Sequence, residues 1–157
     1  MITFDKNGNP QPEGILNYPY SEFKVTFVDN FGHSKSRQLI FENYERYLSD
    51  FKLEIVSTFR NWVNGSFTTT KADPNDIDIV NIVNHSEELN QNTHLLAKFL
   101  TQGGSKDSYF VDGYFVPVYP TDDPRFAITE QSLTYWTHWF GHDRENRPKA
   151  LIELSIV

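Results

Sequence analysis

The sequence predicts one domain of the mixed α/β or α+β class, in which helices flank a mixed sheet. Three observations lead to this fold class. Apolar residues recur at helical spacing after position 34, β-branched and aromatic runs occupy residues 60–64, 76–83 and 109–119, and a second helical pattern separates the last two runs. Because strands and helices alternate along 157 residues, we expect a single layered domain with a core of its own.

Residues 1–33 are predicted to form an N-terminal arm in front of a core at residues 34–157. The first twenty residues are rich in turn formers, such as the run Asn7-Gly8-Asn9-Pro10, and contain few apolar residues. We therefore expect this segment to lie across the surface.

The first helix is predicted from Ser34 or Ser36, either of which can cap it. Its buried stripe has the spacing i, i+4, i+7, i+8 and i+11 and consists of Ile40, Tyr44, Tyr47, Leu48 and Phe51.

Three further elements follow from capping and periodicity. Ser86 starts a helix whose apolar stripe ends at Gly103-Gly104, and Thr129 is the expected N-cap of the last helix. Residues 150–157 alternate as a closing strand.

The composition excludes several classes of site. The chain has no cysteine, so it has no disulfide, thiolate metal site or cysteine nucleophile, as is typical of a reducing cytoplasm. A formal net charge of -7 argues against a broad surface for duplex nucleic acid, which leaves small nucleotides and short single strands as ligands. Because no run of eighteen apolar residues and no charged leader is found, we expect a cytoplasmic protein without membrane contact.

A candidate metal site lies at the start of the second predicted strand. Asp76 and Asp78 are two residues apart there, so their side chains project to one face, roughly 6 to 7 Å apart, and repel each other unless a cation intervenes. Such hard oxygen ligands suit Mg²⁺ or Mn²⁺. A two-ion site needs another carboxylate opposite the pair, and Asp112 in the third strand is the candidate.

A candidate phosphate site precedes the two aspartates. Gly65 allows backbone N–H groups to approach a phosphate, and the Ser66 hydroxyl adds a donor. Thr68 and Lys71 in the following loop are further candidates for substrate binding.

In the order of motifs and elements, residues 35–120 resemble the minimal nucleotidyltransferases of the DNA polymerase β superfamily. A closer resemblance is to a small stand-alone bacterial and phage-borne branch. The shared positions are Gly65-Ser66-Phe67, Pro74 to Asp78, Trp136, Phe140-Gly141, Asp143-Arg144 and Pro148-Lys149. Two features depart from the pattern: the spacer after Gly65-Ser66 has nine residues, against the ten often found in antitoxin-type members, and the loop after Gly65-Ser66 contains no arginine, for which Lys71 can substitute.

The resemblance implies a nucleotidyltransferase-like mixed sheet and a metal-dependent transfer of a nucleoside monophosphate from an NTP or dNTP to a hydroxyl, with release of pyrophosphate. It implies that Asp76 and Asp78 bind two Mg²⁺ or Mn²⁺ ions, that Asp112 completes the site beside the attacking hydroxyl, and that Gly65 and Ser66 hold the β and γ phosphates. A chain of this length leaves no room for separate thumb and fingers domains, so we expect untemplated transfer.

Similar small members belong to two settings. In anti-phage systems they make nucleotide signals or short oligonucleotides, and in toxin–antitoxin pairs they adenylylate a partner. We therefore expect a partner protein encoded nearby, either a toxin or an effector. The alternative is a catalytically silent module of the same fold that acts as an antitoxin by protein contact.

Other residues have a structural interpretation beside the functional one. Glu153 is the rival third carboxylate, although the alternation around it favours the solvent face of a strand. His138 and His142 have the i, i+4 spacing of metal ligands, but Gly141 favours a capping or surface role.

Two more clusters remain open. The late aromatic residues have helical spacing, which favours core packing over base stacking; they are Trp136, Trp139 and Phe140. The densest basic cluster favours a solvated turn over a phosphate contact; it consists of Arg144, Arg147 and Lys149.

Overall fold

The protein folds around a five-stranded mixed sheet flanked by helices, as a computed structural model describing residues 1–157 shows. This architecture confirms the predicted fold class. The strands are β1 (Thr3–Phe4), β2 (Pro10–Gln11), β3 (Gly14–Asn17), β4 (Phe59–Asn64), β5 (Ile77–Asn84), β6 (Val111–Val118) and β7 (Ala150–Ile156). The helices are α1 (Tyr20–Lys24), α2 (Arg37–Glu54), α3 (Glu87–Asn92), α4 (Ser105–Tyr109) and α5 (Phe126–Phe140).

The main sheet has the strand order β3-β7-β4-β5-β6. The β3–β7 and β5–β6 pairs are parallel, whereas β4 runs antiparallel to both β5 and β7. The remaining strands, β1 and β2, form a separate antiparallel pair. None of the helices has the length and apolar character that crossing a membrane requires.

Helix α2 covers one side of the sheet and carries the stripe that its spacing predicts. All five predicted positions are buried, and they belong to a cluster of 27 buried hydrophobic residues on this side. The Ser34 hydroxyl accepts hydrogen bonds from the backbone N–H groups of Ser36 and Arg37, so Ser34 supplies the side-chain cap. Since only six buried residues form the cluster under α5, the main core lies on the α2 side.

The later part of the predicted N-terminal arm, residues 20–33, packs into the domain instead of lying across its surface. Strand β3 pairs with β7 at one edge of the sheet, and a π-helical turn at Val25–Asp29 extends α1. Phe23 and Phe27 in these helical turns are completely buried in the main core. The aromatic residues that follow the early turn formers therefore pack as part of the domain.

Two details of the later helices also differ from prediction. Helix α5 begins three residues before Thr129, whose hydroxyl accepts from the Tyr119 N–H and donates to the Pro117 carbonyl, so Thr129 ties α5 to the end of β6. The long helix predicted after Ser86 ends at Asn92, and short 3-10 turns follow it. Ser86 itself caps α3, because its hydroxyl accepts from the Leu89 N–H.

Candidate functional site

Strand register brings the acidic residues together on the α5 side of the sheet. Asp78 on β5 is paired with Asn64 at the end of β4 and with Asp112 on β6. Asp76 lies two residues before Asp78, just ahead of the strand, and shares its face. One carboxylate oxygen from each of Asp76, Asp78 and Asp112 lies within 4.8 Å of the others. The structure therefore joins the three carboxylates that the sequence singled out.

The three carboxylates oppose each other's ionisation. Burial, together with the negative charges of Asp76 and Asp112, raises the pKa of Asp78 to about 7. Burial and the charge of Asp76 also raise the pKa of Asp112, although the Thr101 hydroxyl donates a hydrogen bond to it. Such mutual repulsion is relieved when a cation binds between the carboxylates.

A lysine that the motifs did not indicate lies beside this cluster. The Lys106 ammonium on α4 is 2.9 Å from an Asp76 oxygen and 3.9 Å from an Asp112 oxygen. These contacts raise the pKa of Lys106, with the hydrogen bond to Asp76 as the largest cause. The side chain of Lys106 is 55% exposed, so it can leave the carboxylates without disrupting the core.

Gly65 is required by the carboxylate next to it. Its φ of 80° lies in the left-handed region, and a Cβ atom there would come 1.8 Å from an Asp78 side-chain oxygen. The Asn64 side chain donates to the carbonyl of Phe140, which joins the end of β4 to the end of α5. The Gly65 turn is thereby held directly against Asp78.

A cleft of about 780 Å³ contains the acidic cluster and the Gly65 turn. Ser66 and Lys71 line it as expected, but Thr68 does not. Thr68 is completely buried, and its hydroxyl donates to the Gly65 carbonyl within a 3-10 turn. The prediction that Thr68 binds substrate through its side chain is therefore wrong, because the turn directs that side chain inward.

The loop after Gly65 is held by Arg37, the first residue of α2. Its buried guanidinium donates to the carbonyl oxygens of Phe67 at 2.6 Å, Thr69 at 2.7 Å and Lys71 at 2.6 Å, and also to Phe27 at 2.7 Å. These bonds fix the loop backbone beside the cleft from within the core.

Lys149 is the second basic residue of the cleft, and it is not part of a solvated turn as predicted. Only 4% of the residue is exposed, although it lines the cleft. Burial lowers its pKa against the weaker opposing effects of the Asp143 and Asp78 charges, and no side-chain hydrogen bond or ion pair holds its ammonium group. The alternation of β7 could have indicated its position, because Lys149 lies two residues before Leu151, which faces α5.

The other two members of the basic cluster have different surroundings. Arg144 is exposed and lines the cleft. Arg147 is paired with Asp143 at 2.6 Å and with Glu145 at 3.0 Å, so it stabilises the turn rather than the cleft.

Glu153 and the histidines lie outside the acidic cluster. Glu153 accepts from the Trp62 indole at 2.6 Å and is 3.2 Å from Arg60. His142 lines the cleft, but its ring nitrogen contacts the His138 carbonyl oxygen at 2.8 Å. The structure thus gives Glu153 partners of its own and leaves Asp112 as the third carboxylate.

The late aromatic residues divide between core and surface. Phe140 is buried in the smaller cluster, and Trp136 packs partly against it. Trp139 is 58% exposed, so the prediction of core packing is wrong for this residue. It lines the cleft, as do Tyr135 and Tyr114.

The acidic cluster offers three carboxylate oxygens, which are the kind of ligand that a hard divalent ion prefers. Two oxygens bound to one Mg²⁺ at its usual distance are about 4.2 Å apart at most. The observed oxygens lie within 4.8 Å of one another, so a small side-chain adjustment suffices. Asp76, Asp78 and Asp112 therefore fit Mg²⁺ or Mn²⁺, and Lys106 is the cation that contacts Asp76 and Asp112.

Comparison with known proteins gives a family without an assigned activity. Neither the curated proteins nor the solved structures contain a match to this chain. One family model, described as a family of unknown function (DUF6932), matches residues 2–155. Since the match spans nearly the whole sequence, the chain belongs to the DUF6932 family.

Proposed function

We propose that this protein is a metal-dependent nucleotidyltransferase that transfers a nucleoside monophosphate from an NTP or dNTP to a hydroxyl group. The proposal depends above all on one observation: three carboxylates from separate stretches of backbone meet within 4.8 Å in an open cleft. Carboxylates that raise one another's pKa are a frequent property of sites that bind cations or move protons.

A second observation favours a ligand that is both metal-bound and anionic. The unpaired ammonium of Lys149 and the exposed Lys106 and Arg144 line the same cleft as the acidic cluster. A bare acidic site would attract only cations, whereas this mixture of charges suits a triphosphate with its divalent ions. The resemblance of the Gly65-Ser66 and Asp76–Asp78 motifs to minimal nucleotidyltransferases supports the same chemistry.

The reaction would use each group in a separate role. The acceptor oxygen forms a bond to the α-phosphorus while the bond to the pyrophosphate oxygen breaks, and pyrophosphate leaves. Bound Mg²⁺ or Mn²⁺ would supply Lewis-acid stabilisation of the phosphate charge. Asp76 and Asp78 would hold the ions, and the Asp112 carboxylate would lie beside the acceptor hydroxyl, where it can take up the proton.

The turn at Gly65 would hold the leaving phosphates. The backbone there approaches Asp78 closely because glycine has no side chain, and Ser66 lines the cleft beside it. Lys71 lines the same cleft, while Arg37 keeps the intervening loop backbone in place. An anti-phage or toxin–antitoxin setting, with a toxin or effector as the partner, remains part of this proposal.

The test is incubation of the purified protein with each α-labelled NTP and dNTP and with Mg²⁺ or Mn²⁺, with and without cell extract. We expect pyrophosphate release together with a labelled oligonucleotide ladder or a single labelled acceptor. Asp112→Asn should reduce the rate roughly 100-fold or more, because a group acting on the reacting atoms is lost. The matched control is Asp107→Asn, which removes the same charge from an exposed position outside the cluster.

One result would contradict the role of Asp112, and another would contradict the proposed function. Loss of activity in Glu153→Gln with full activity in Asp112→Asn would make Glu153 the third carboxylate. No release with any nucleotide and metal, combined with tight binding to a neighbour-encoded protein, would instead favour the silent binding module.

A further inference from the structure

We infer that the exposed aromatic face of α5 beside the cleft, formed by Tyr135 and Trp139, is a binding wall for a nucleobase. This inference rests on the proposed function, and it locates the part of the ligand that the phosphate-binding groups do not contact.

Exposure distinguishes these two residues from most other aromatic residues of the protein. Trp139 is 58% exposed and Tyr135 is 54% exposed, and both line the cleft that contains the acidic cluster. Among Phe, Tyr and Trp, only Phe110 is also exposed, at 37%, and it does not line the cleft. Large exposed apolar rings are unfavourable in water, so a pair of them at one wall of a polar cleft favours a ligand with an apolar face.

Contacts with other aromatic rings hold the two exposed rings in place. Tyr114 on β6, two residues from Asp112, packs against Trp136 with ring centroids 4.4 Å apart. Trp136 contacts Tyr135 edge-on at 4.9 Å, and Tyr135 lies 6.1 Å from Trp139. This chain of ring contacts connects the strand of the third carboxylate to the exposed wall, so the wall is positioned by the same sheet as the acidic cluster.

The distribution of charged and aromatic side chains in the cleft indicates which ligand fits it. One part of the cleft presents three carboxylates with Lys106 and Lys149, which complement metal ions and phosphates. The other part presents flat aromatic surface, on which a base can stack. A nucleotide carries both chemistries in one molecule, and the cleft volume of about 780 Å³ is within the usual range for small-ligand sites.

The nucleobase can come from two sources: the NTP itself or the terminal nucleotide of a short single-stranded acceptor. Binding experiments with Ca²⁺ in place of Mg²⁺ separate the two sources, because the probes differ in whether they carry a base and whether they carry a triphosphate. The probes are ATP, inorganic tripolyphosphate, which has no base, and a six-nucleotide single strand without a triphosphate. Affinities are measured calorimetrically for the wild type, Trp139→Ala, Trp139→Phe and Ile128→Ala.

For the NTP source, the wild type should bind ATP roughly 5- to 150-fold more tightly than tripolyphosphate, since a stacked base adds affinity. Trp139→Ala should lose this difference without a change in tripolyphosphate affinity, and Trp139→Phe should retain most of it. Ile128→Ala is the matched control, because it truncates another exposed apolar residue of α5, 52% exposed, that does not line the cleft. For the acceptor source, Trp139→Ala should weaken the single strand and leave ATP unchanged. Either pattern supports a nucleobase wall.

Other outcomes overturn the inference and separate it from the proposed function. If tripolyphosphate and ATP bind the wild type equally and Trp139→Ala alters neither ATP nor the single strand, the wall does not bind a base, while the phosphate site stands. If self-association measured by light scattering is lost in Trp139→Ala and nucleotide affinity is unchanged, the wall is a contact between protein chains. If the wild type binds neither ATP nor tripolyphosphate with any divalent ion, the proposed function fails as well.

Discussion

The two sides of the central sheet differ in the surroundings of their polar groups. On the α2 side, a buried network has partners for its side chains: Tyr44 donates to Asn61, Asn61 donates to Asn81, and Asn81 donates to Tyr47. On the α5 side, three carboxylates repel one another across an open cleft. A buried polar network is stable only when its members are satisfied, so the α2 side serves the fold. The unfavourable charges of the other side lower the stability of the fold there, which is the property that the proposed metal site would have.

Arg37 and Lys149 make this comparison between single residues. Both are buried cations, with 0% and 4% of the residue exposed. Arg37 donates to four backbone carbonyl groups, and its ring contact with Phe31 is 3.9 Å from the guanidinium carbon to the centroid. The Lys149 ammonium has no such partner. The first residue is therefore part of the core, and the second is a cleft residue whose ammonium group no hydrogen bond holds.

The largest effect on stability is expected on the α2 side. Arg37→Met should lower the free energy of unfolding by about 4 kcal/mol, because buried carbonyl groups that accepted from a charged donor lose their partner. Urea denaturation measures the change. Arg125→Met should have little effect, since Arg125 is part of an exposed ion pair with Asp123. A loss for Arg37→Met no greater than that for Arg125→Met would show that the loop does not depend on these bonds.

The second-largest expected effect is an increase, rather than a decrease, in the free energy of unfolding. Asp78→Asn should stabilise the metal-free protein by about 2 kcal/mol, because it removes the charge that burial and two neighbouring carboxylates disfavour. Thermal denaturation in EDTA should show the increase, while addition of Mn²⁺ should stabilise the wild type more than the variant.

Asp107→Asn controls for the loss of one negative charge. It should change neither the stability of the metal-free protein nor the stabilisation by Mn²⁺. Destabilisation of metal-free protein by Asp78→Asn would show that this carboxylate is structural, and it would remove the contrast between the two sides of the sheet.

The sequence predicted the elements and residues whose signals are local. The stripe of α2, the strand around Asp78 and the Gly65 turn follow from periodicity and residue type, and the structure places all of them as expected. Asp112 was expected because a two-ion site needs a further carboxylate, and the parallel pairing of β5 with β6 is what brings it beside Asp78.

The differences arise where tertiary contacts decide the environment. Phe23 and Phe27 have helical i, i+4 spacing and are buried in the core. The arm was predicted from the turn formers before them, which do not determine how the following residues pack. Lys106 is brought to Asp76 by a short helix with no sequence motif. The exposure of Trp139 depends on where α5 crosses the sheet, which its own spacing does not determine.

Substitution of Lys149 tests whether the cleft binds phosphate, and its expected effect on stability is smaller. Lys149→Met keeps the unbranched shape and removes the unpaired charge, so the ligand-free protein should gain about 1 kcal/mol of stability. Tripolyphosphate affinity, measured with Ca²⁺, should fall roughly 10-fold as one phosphate contact is lost. Lys71→Met is the control for an exposed lysine of the same cleft, and its stability should stay unchanged. If Lys149→Met is destabilised and binds tripolyphosphate normally, Lys149 belongs to the core like Arg37.

The smallest effect concerns Asp143, an acid of the same cleft whose charge is satisfied. Its carboxylate accepts from the backbone N–H of Arg147 and from the side chains of Asn9 and Arg147, and these bonds hold its pKa well below the usual range. A pKa that is lower in the folded state stabilises the protein above the unfolded value of about 3.9, and this contribution is lost as the pH falls through the folded value. Asp143→Asn should therefore be slightly less stable than the wild type at pH 7, and the difference should shrink progressively below about pH 4. Urea denaturation between pH 7 and pH 2 measures it, and a difference that does not depend on pH would mean that shape, rather than charge, makes Asp143 favourable. Opposite signs for Asp143→Asn and Asp78→Asn at pH 7 would place the unfavourable charge of the cleft at the three clustered carboxylates rather than along its whole rim.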